Sequence, residues 1–219
     1  MDPVQVAAFS KEQCILVDNN DTAIGKLSKK ECHLVKPDGS LPLHRAFSVF
    51  LFNKSGDLLL HNRSNDKITY PGRFTSSCCS HPLANIEEES EEIDALGVKR
   101  AAQRRLNYEL GIPIKFLPLE EFTYITRIKY VDYGDGIWGE NEISYILFFR
   151  GDVPIKPNPN EISKIIFLSK KEFFNYILTN EESLTPWLSF MSKNLLMFWW
   201  NNLDNLSRII DQDTIKKFS

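Results

Sequence analysis

The chain has 219 residues, of which 42% are hydrophobic and 25% are charged, and its formal net charge is −3. This composition is typical of a globular protein, and the length suits one large domain or two small ones. A slightly acidic chain does not indicate a nucleic-acid or anionic-membrane partner, and we expect neither. It contains no apolar run of roughly 18 residues, so we predict no membrane span.

The termini and the cysteines indicate a reducing compartment. The N-terminal "MDPVQVAAFSKEQ" has neither the basic start nor the apolar stretch of a secretory signal peptide. The C-terminal "KKFS" is not of the Ser-Lys-Leu peroxisomal type, so we predict a cytoplasmic protein and leave a peroxisomal location open. The cysteines do not form the dense framework of a small secreted domain, and two of them are adjacent. We therefore predict no disulfide among Cys14, Cys32, Cys78 and Cys79.

The N-terminal half of the chain alternates strand and turn signals and then becomes helical. A short strand is predicted at residues 14–18, followed by turn-rich sequence. Residues 46–53 and 58–63 are β-rich and flank a Lys-Ser-Gly-Asp turn, which predicts a hairpin. Apolar residues at spacings of three and four predict a helix over 95–112, and Gly111 is expected to end it.

The C-terminal half carries further strands and ends in a predicted helical segment. Residues 122–131, 143–151 and 164–169 have the pattern of strands, and a helix is predicted to begin at Lys170. From Thr185 onward the sequence predicts a long amphipathic helix. The order of elements favours a single α/β (α+β) domain over 1–219, with a mixed sheet and flanking helices. We expect a helical segment at about 185–219 to pack on its core.

Histidines and carboxylates provide a possible metal site. Glu140 and Glu142 lie two apart at the start of a predicted strand, so both carboxylates point to one face. Two like charges so close are costly unless something neutralises them, and a divalent cation would do so. The four histidines form no helical i, i+4 pair, and His61, inside a strand, is expected to be structural. Spacing alone therefore leaves both a metal set and scattered structural residues open.

The predicted helix resembles a Nudix helix, whose pattern ends in R-E-L-x-E-E-x-G-hydrophobic. The stretch "AAQRRLNYELGI" matches the pattern at Arg104, Leu106, Glu109, Gly111 and Ile112. Arg105 and Tyr108 stand where the pattern has glutamates, which hold Mg²⁺ in Nudix hydrolases, so pyrophosphate hydrolysis is disfavoured. The alternative is an ordinary surface helix with a solvated Glu109.

Basic residues near these segments could bind a diphosphate. Arginine offers a bidentate fork and lysine a point charge. Taken singly, each could equally be a solvated surface charge. The candidates are Lys29, Arg63, Lys67 and Arg105.

In combination, these features resemble the type I isopentenyl-diphosphate delta-isomerase family of the Nudix superfamily, in its eukaryotic branch. The likeness covers residues from about 12 to 205, in the stretches "LPLHRAFSVFLFN", "LLLHNRSNDKITYPGRFTSSCCSHPL", "ALGVKRAAQRRLNYELGIP", "DGIWGENEISYIL" and "TPW". It implies a Nudix-type mixed β-sheet sandwiched between helices, with a core at about 42–180, an extra N-terminal strand and C-terminal helices.

The same resemblance implies an activity and a place in metabolism. Members convert isopentenyl diphosphate to dimethylallyl diphosphate by protonation and deprotonation through a tertiary carbocation, with a divalent metal. The product feeds isoprenoid and sterol biosynthesis. We expect a prenyl diphosphate substrate and a monomeric enzyme.

The resemblance also implies the metal ligands. One protein-bound divalent cation, Mg²⁺ with Mn²⁺ or Zn²⁺ as alternatives, would be held by His33, His44, His81, Glu140 and Glu142. Glu109 would hold a second Mg²⁺ that arrives with the diphosphate.

The catalytic and substrate-binding residues carry over in the same way. Cys79, Glu142 and Tyr130 match the catalytic groups, although nearby Tyr133 leaves open which tyrosine works. Aromatic faces stabilise carbocations, and Trp187 and Trp138 are the candidates, with core packing as the alternative for Trp138. Trp199 and Trp200 are assigned to the core. The expected substrate-binding residues are Lys29, Arg63, Lys67, Ser80, Arg105, Trp187 and Trp138.

Two other functions use the same motifs. A Nudix hydrolase of a diphosphate substrate would need the glutamates that the helix lacks. A non-catalytic diphosphate-binding protein would be favoured by loss of Cys79, Tyr130 or Glu142, and all three are present. The acidic segment 86–93 departs from the form expected in the family.

Overall fold

The structure, a computed structural model, describes residues 3–218 and is built around one mixed β-sheet. The strands are β1 (Gln13–Val17), β2 (Ala23–Ser28), β3 (His44–Phe52), β4 (Leu58–Arg63), β5 (Phe74–Thr75), β6 (Cys78–Ser80), β7 (Thr123–Asp132), β8 (Glu140–Arg150), β9 (Ile162–Leu168) and β10 (Asp211–Lys217). The helices are α1 (Pro3–Lys11), α2 (Lys29–His33), α3 (Leu96–Leu110), α4 (Lys170–Asn180), α5 (Pro186–Met191) and α6 (Met197–Asn201).

Strand β3 is the centre of the sheet and sets the position of the site. It pairs in parallel with β8, so that His44 lies opposite Glu142. It pairs antiparallel with β6, where Ser48 lies opposite Cys79. Strand β7 is antiparallel to β8 and brings Tyr130 opposite Glu142. Three neighbouring strands therefore place these side chains at one region of the sheet.

Each face of the sheet buries its own apolar cluster. Alternation along β3 sends Val49 and Leu51 to the face covered by α3, and Phe50 and Phe52 to the face covered by α4, α5 and α6. Trp199 and Trp200 belong to the second cluster, as the sequence predicted. The sandwich of a mixed sheet between helices confirms the predicted fold class.

The predicted helix over 95–112 is confirmed as α3, which ends before Gly111. Gly111 adopts φ 63°, and a Cβ there would lie 2.2 Å from the Lys156 carbonyl oxygen, so glycine is needed for both reasons. The helix predicted from Thr185 is present over residues 186–201. Its turn Ser192–Leu196 has the wider π geometry and joins α5 to α6.

Several elements differ from the sequence prediction, among them strand β2, which lies in sequence that was expected to be turn-rich. Residues 211–217 form β10, parallel to β7, so the prediction of helix throughout 185–219 is wrong for this part. Helices α1 and α2 were not predicted at all. Helix α2 is only five residues long and begins with a capping box between Ser28 and Glu31, which lies within sequence that otherwise has turn character. Among the helices of residues 3–218, none has both the length and the apolarity required to cross a membrane.

Candidate active site

Most of the predicted site residues line one pocket, even though they are dispersed along the sequence. Phe9 of helix α1 and Ser48 of β3 also line it. The predicted residues that line it are Lys29, His33, Arg63, Lys67, Cys79, Ser80, His81, Arg105, Tyr130, Glu140, Glu142 and Trp187.

The predicted metal ligands form one buried cluster. Ligand atoms of the five side chains all lie within 4.8 Å of one another, and the imidazole rings are 5.0 Å apart, centroid to centroid, in each pair. The residues are His33 from the end of α2, His44 from the start of β3, His81 after β6, and Glu140 and Glu142 from the start of β8. The structure thus brings together five residues for which sequence spacing alone left a metal set and scattered structural residues open.

Two backbone carbonyls orient the histidine rings. His33 Nδ1 lies 2.6 Å from the Lys29 carbonyl oxygen, and His44 Nδ1 lies 3.0 Å from that of Pro42. A carbonyl only accepts, so each Nδ1 carries the hydrogen and donates it. In the neutral ring Nε2 then keeps its lone pair and faces the cluster, as in metal-binding histidines whose other nitrogen is held by a second group.

Several polar atoms in the cluster are buried without a hydrogen bond, which fits a cation site. These atoms are His44 Nε2, His81 Nδ1 and Glu140 Oε2. Glu140 Oε2 lies 2.9 Å from His33 Nε2, yet the two do not satisfy each other by a hydrogen bond. Unpaired buried polar atoms are costly, and nitrogen and oxygen donors of this kind suit a divalent metal. These residues therefore fit the expected ion.

The charge state of the cluster follows from burial and close contacts. Burial lowers the pKa of His44, but the Glu142 carboxylate 3.6 Å away outweighs burial and raises the pKa to about 9. Burial lowers the pKa of His81 well below its usual value, and the charges of His44 and His33 lower it further. Burial favours a protonated Glu142, yet His44 and a hydrogen bond from Tyr130 hold its pKa below the ordinary value. Glu142 is therefore a carboxylate at neutral pH.

Tyr130 contacts this carboxylate directly. Its hydroxyl donates a short hydrogen bond to Glu142 Oε2. Burial raises the pKa of Tyr130 well above its usual value, and the Glu142 charge raises it further, so the phenol stays protonated. Tyr133 is 52% exposed and does not line the pocket. Of the two tyrosines that the sequence left open, Tyr130 is the one beside the cluster.

Adjacent cysteines point to opposite faces of the sheet. Cys78 is fully buried in the cluster under α3, whereas Cys79 lines the pocket. Cys79 Sγ lies 2.8 Å from Ser76 Oγ and 3.3 Å from Ser48 Oγ. Burial raises the pKa of Cys79 more than the neighbouring hydroxyls lower it. Cys79 therefore carries its proton at neutral pH, which suits a proton donor.

The two candidate tryptophans have different environments. Trp187 lines the pocket, donates from Nε1 to Thr75 Oγ1 at 2.9 Å, and has its ring 6.1 Å from that of Tyr130. Trp138 is not among the residues that line the pocket, and its ring packs edge-on against Phe9 of α1 at 5.1 Å. The substrate contact expected of Trp138 stays a prediction.

The four predicted cations all line the pocket; carboxylates pair with Lys29, Lys67 and Arg105, whereas Arg63 donates to the Thr69 carbonyl oxygen. Glu161 Oε2 lies 2.7 Å from Lys67 Nζ and 3.3 Å from an Arg105 nitrogen. Glu12 lies 3.0 Å from Lys29 Nζ. Neither glutamate was recognised from the sequence, where nothing links either of them to a basic partner far along the chain.

Glu109, predicted to hold a second Mg²⁺, belongs neither to the cluster of five predicted metal ligands nor to the residues that line the pocket. It is buried, and its Oε1 accepts from Arg105 at 2.6 Å and 2.9 Å. In this structure Glu109 therefore neutralises Arg105.

The acidic segment has a structural role next to the site. Glu89 is buried and accepts hydrogen bonds from Arg104 and from the Leu83 backbone. Arg104 also donates to the His81 carbonyl at 3.3 Å. The segment thus supports the loop that carries a predicted metal ligand.

The protonation of Lys67 is expected to make kcat/KM depend on pH. Burial lowers its pKa to about 8, despite the nearby Glu161. As pH rises through this value, Lys67 loses the charge that attracts a diphosphate, so kcat/KM is expected to fall above about pH 8. Arginine stays charged throughout, so Lys67→Arg is expected to show a weaker fall between pH 7 and 9. Identical profiles for the two enzymes would contradict this role.

Comparison with known proteins identifies the family. The model of the NUDIX domain matches residues 42–188. An isopentenyl-diphosphate Delta-isomerase 1 from Mesocricetus auratus is 50% identical over 220 residues, which cover 99% of this chain and 96% of that protein. An isopentenyl-diphosphate delta-isomerase from Phaffia rhodozyma is 46% identical over 196 residues, covering 88% of this chain and 78% of that protein.

Solved structures agree with the fold. A Deinococcus radiodurans crystal structure matches with TM-score 0.58 and 18% identity, covering 84% of this chain and 99% of that chain. A NUDIX hydrolase from Alicyclobacillus acidocaldarius matches with TM-score 0.58 and 11% identity, covering 77% of this chain and 97% of that chain. By its sequence, the chain belongs to the isopentenyl-diphosphate delta-isomerase family of the Nudix superfamily.

Proposed function

We propose that this protein isomerises isopentenyl diphosphate to dimethylallyl diphosphate. The observation that carries the proposal is one pocket lined by a protonated thiol, a phenol–carboxylate pair and a set of cations. The thiol is Cys79, and the pair is Tyr130 with Glu142. Relatives named as isomerases, 44–50% identical over 88–99% of this chain, support the same activity.

The reaction requires two acid–base groups that face each other. A proton adds to the terminal carbon of the alkene and gives a tertiary carbocation. A second proton leaves C2, so the double bond moves by one carbon and no net atom is gained or lost. One residue must donate and another must accept, on two sides of the substrate.

The sheet register supplies this separation. Cys79 lies on β6 and Glu142 on β8, and both strands pair with β3 from opposite sides. Two strand spacings correspond to about 9–10 Å across the sheet. Cys79 pairs with Ser48 and Glu142 with His44, so the two residues are also offset by four residues along β3. This separation leaves room for a five-carbon chain between the side chains. Cys79 and Tyr130 both hold a proton at neutral pH, while Glu142 is free to accept one.

The carbocation must be stabilised without contact with water. Trp187 and Tyr130 line the pocket and offer aromatic faces, and Tyr70 packs edge-on against Trp187 at 5.1 Å. Cation–π contacts contribute up to ~2 kcal/mol when desolvated. Trp187 is only 6% exposed, so it also limits the access of water. Closure by this ring protects the intermediate from hydration.

The proposed cofactor is Mg²⁺, with Mn²⁺ or Zn²⁺ as alternatives for the five-residue cluster. Bound there, a divalent cation would stabilise the Glu142 carboxylate and change the acidity of the groups bonded to it. A second Mg²⁺ would accompany the diphosphate, with Glu109 as its ligand once Arg105 turns to the phosphates. The diphosphate itself would be bound by Lys29, Arg63, Lys67, Ser80 and Arg105. We also propose a cytoplasmic monomer that acts in isoprenoid and sterol biosynthesis.

Product analysis tests the proposal. The purified protein is incubated with isopentenyl diphosphate and Mg²⁺, and the products are followed by ¹H and ³¹P NMR. Dimethylallyl diphosphate without release of phosphate is the expected result. Release of phosphate or diphosphate without the isomer would contradict the proposal and favour a Nudix hydrolase instead.

A further inference from the structure

A second cavity lies beside the candidate active site, on the same face of the sheet. Its volume is about 160 Å³, and its lining is mostly apolar. Strands β7 and β8 form one side, and helix α5 with Phe218 forms the other. Characteristic lining residues are Ile128, Ser144, Ile146, Phe190, Met191 and Phe218. We call this space the apolar cavity.

Small side chains explain why the apolar cavity exists. The register places Ala46 opposite Ser144, and Ser48 opposite Ile146, on adjacent strands. By alternation, Ala46, Ser48 and Ser144 lie on the face that carries His44 and Glu142. These short side chains separate the charged end of the sheet from the aromatic core, and α5 does not fill the space above them.

The apolar cavity and the candidate active site share a wall. Ser48, Tyr130 and Trp187 line both spaces. The two aromatic rings lie 6.1 Å apart, and Ser48 is the smallest of the three residues. A hydrocarbon chain that extends beyond the active site would pass this wall over Ser48, with a shift of the Trp187 ring.

The size and polarity of the cavity indicate what would occupy it. An apolar cavity of ~150 Å³ in another protein stays dry and binds benzene, a six-carbon molecule. One isoprene unit has five carbons, so about 160 Å³ suits one such unit. The shared wall leads to the cluster of Lys29, Arg63, Lys67 and Arg105, which would hold an anionic head group.

We infer that the apolar cavity binds the second isoprene unit of a linear ten-carbon prenyl diphosphate, whose diphosphate is held by the active-site cations. Such a molecule competes with the five-carbon substrate and inhibits the enzyme. The inference rests on the proposed function, since it uses the same diphosphate site, and it adds a ligand class that is not turned over.

Calorimetric binding separates this inference from the isomerase activity. The dissociation constants of geranyl diphosphate and of saturated isopentyl diphosphate, which has no double bond to move, are measured with Mg²⁺. Burial of five more carbons is expected to make geranyl diphosphate bind at least about tenfold more tightly. Ser144→Leu fills the cavity and is expected to bring the ratio of the two constants close to one. Ser163→Leu, the same change at an exposed position of β9, should leave the ratio unchanged.

The outcomes are distinct. If isopentyl diphosphate does not bind, the proposed function fails and this inference fails with it. If it binds but geranyl diphosphate binds no more tightly, only the cavity inference is overturned. A ratio that Ser144→Leu does not change, or a loss of affinity shared equally by both ligands, also overturns it. If Ser144→Leu does not fold, the smaller Ser144→Val is measured against the same criteria.

Discussion

Replacement of Cys79 by alanine is expected to reduce kcat for isomerisation by about a thousandfold or more. Cys79 is the thiol that faces the pocket, and burial keeps its proton in place at neutral pH. General acid–base groups typically contribute ~10²–10⁴-fold, and a missing group on one side of the substrate leaves no partner for the other side. The rate is measured with saturating isopentenyl diphosphate and Mg²⁺.

The adjacent cysteine provides a matched control. Cys78→Ala also removes a thiol, but from the opposite face of the sheet, where Cys78 is fully buried under α3. We expect it to cost about 1 kcal/mol of stability and to keep kcat within about threefold of the wild type. An inactive Cys78→Ala enzyme together with an active Cys79→Ala enzyme would overturn the assignment.

Glu142→Gln is expected to be as damaging, and excess metal should not restore it. Glu142 belongs to the metal cluster and also accepts the hydrogen bond from Tyr130. A glutamine keeps the shape but removes both the negative charge and the ability to accept a proton. We expect kcat to fall by about a thousandfold, with a lower content of bound divalent cation measured by elemental analysis.

Glu140→Gln separates metal binding from acid–base catalysis, the two roles proposed for Glu142. Glu140 belongs to the same cluster but makes no bond to Tyr130 among the described residues. Its replacement should weaken metal binding by at least about 10–100-fold, the range for loss of a group that only supports a ligand, and high Mg²⁺ should recover much of the activity. If metal rescued both variants equally, Glu142 would be a ligand only and would have no acid–base role.

Local patterns predicted much of the fold. The strands β3 and β4, the turn between them and the helix α3 followed from turn residues, alternation and the glycine at 111, all of which are local signals. The predicted hairpin pairing is present only between Phe52 and Leu58, because β3 otherwise pairs with β6 and β8, and β4 with β5 and β9. The strands β2 and β10 and the helices α1 and α2 were missed. The seven residues of β10 are mostly polar and pair in parallel with β7, so tertiary contact outweighs a weak local signal.

Site residues that belong to a sequence motif could be predicted. Site residues that act through contacts between distant parts of the chain were missed. The Glu140–Glu142 spacing indicated a shared face, but its convergence with three separated histidines required the sheet register. The carboxylates Glu12 and Glu161 neutralise cations that are distant in sequence, and no local pattern marks them. Resemblance to the family supplied the ligand set, and the fold then showed that these residues meet.

Turnover in D₂O tests the central claim most directly, because the account makes solvent-exchangeable side chains the source of the added proton. Wild-type enzyme with isopentenyl diphosphate and Mg²⁺ should place deuterium in the methyl group that forms at the terminal carbon, as seen by ²H NMR and mass spectrometry. Cys79→Ala, run in parallel for the same time, should give about a thousandfold less labelled product or lower. Dimethylallyl diphosphate formed without deuterium in that methyl group would indicate internal hydrogen transfer and would contradict the account.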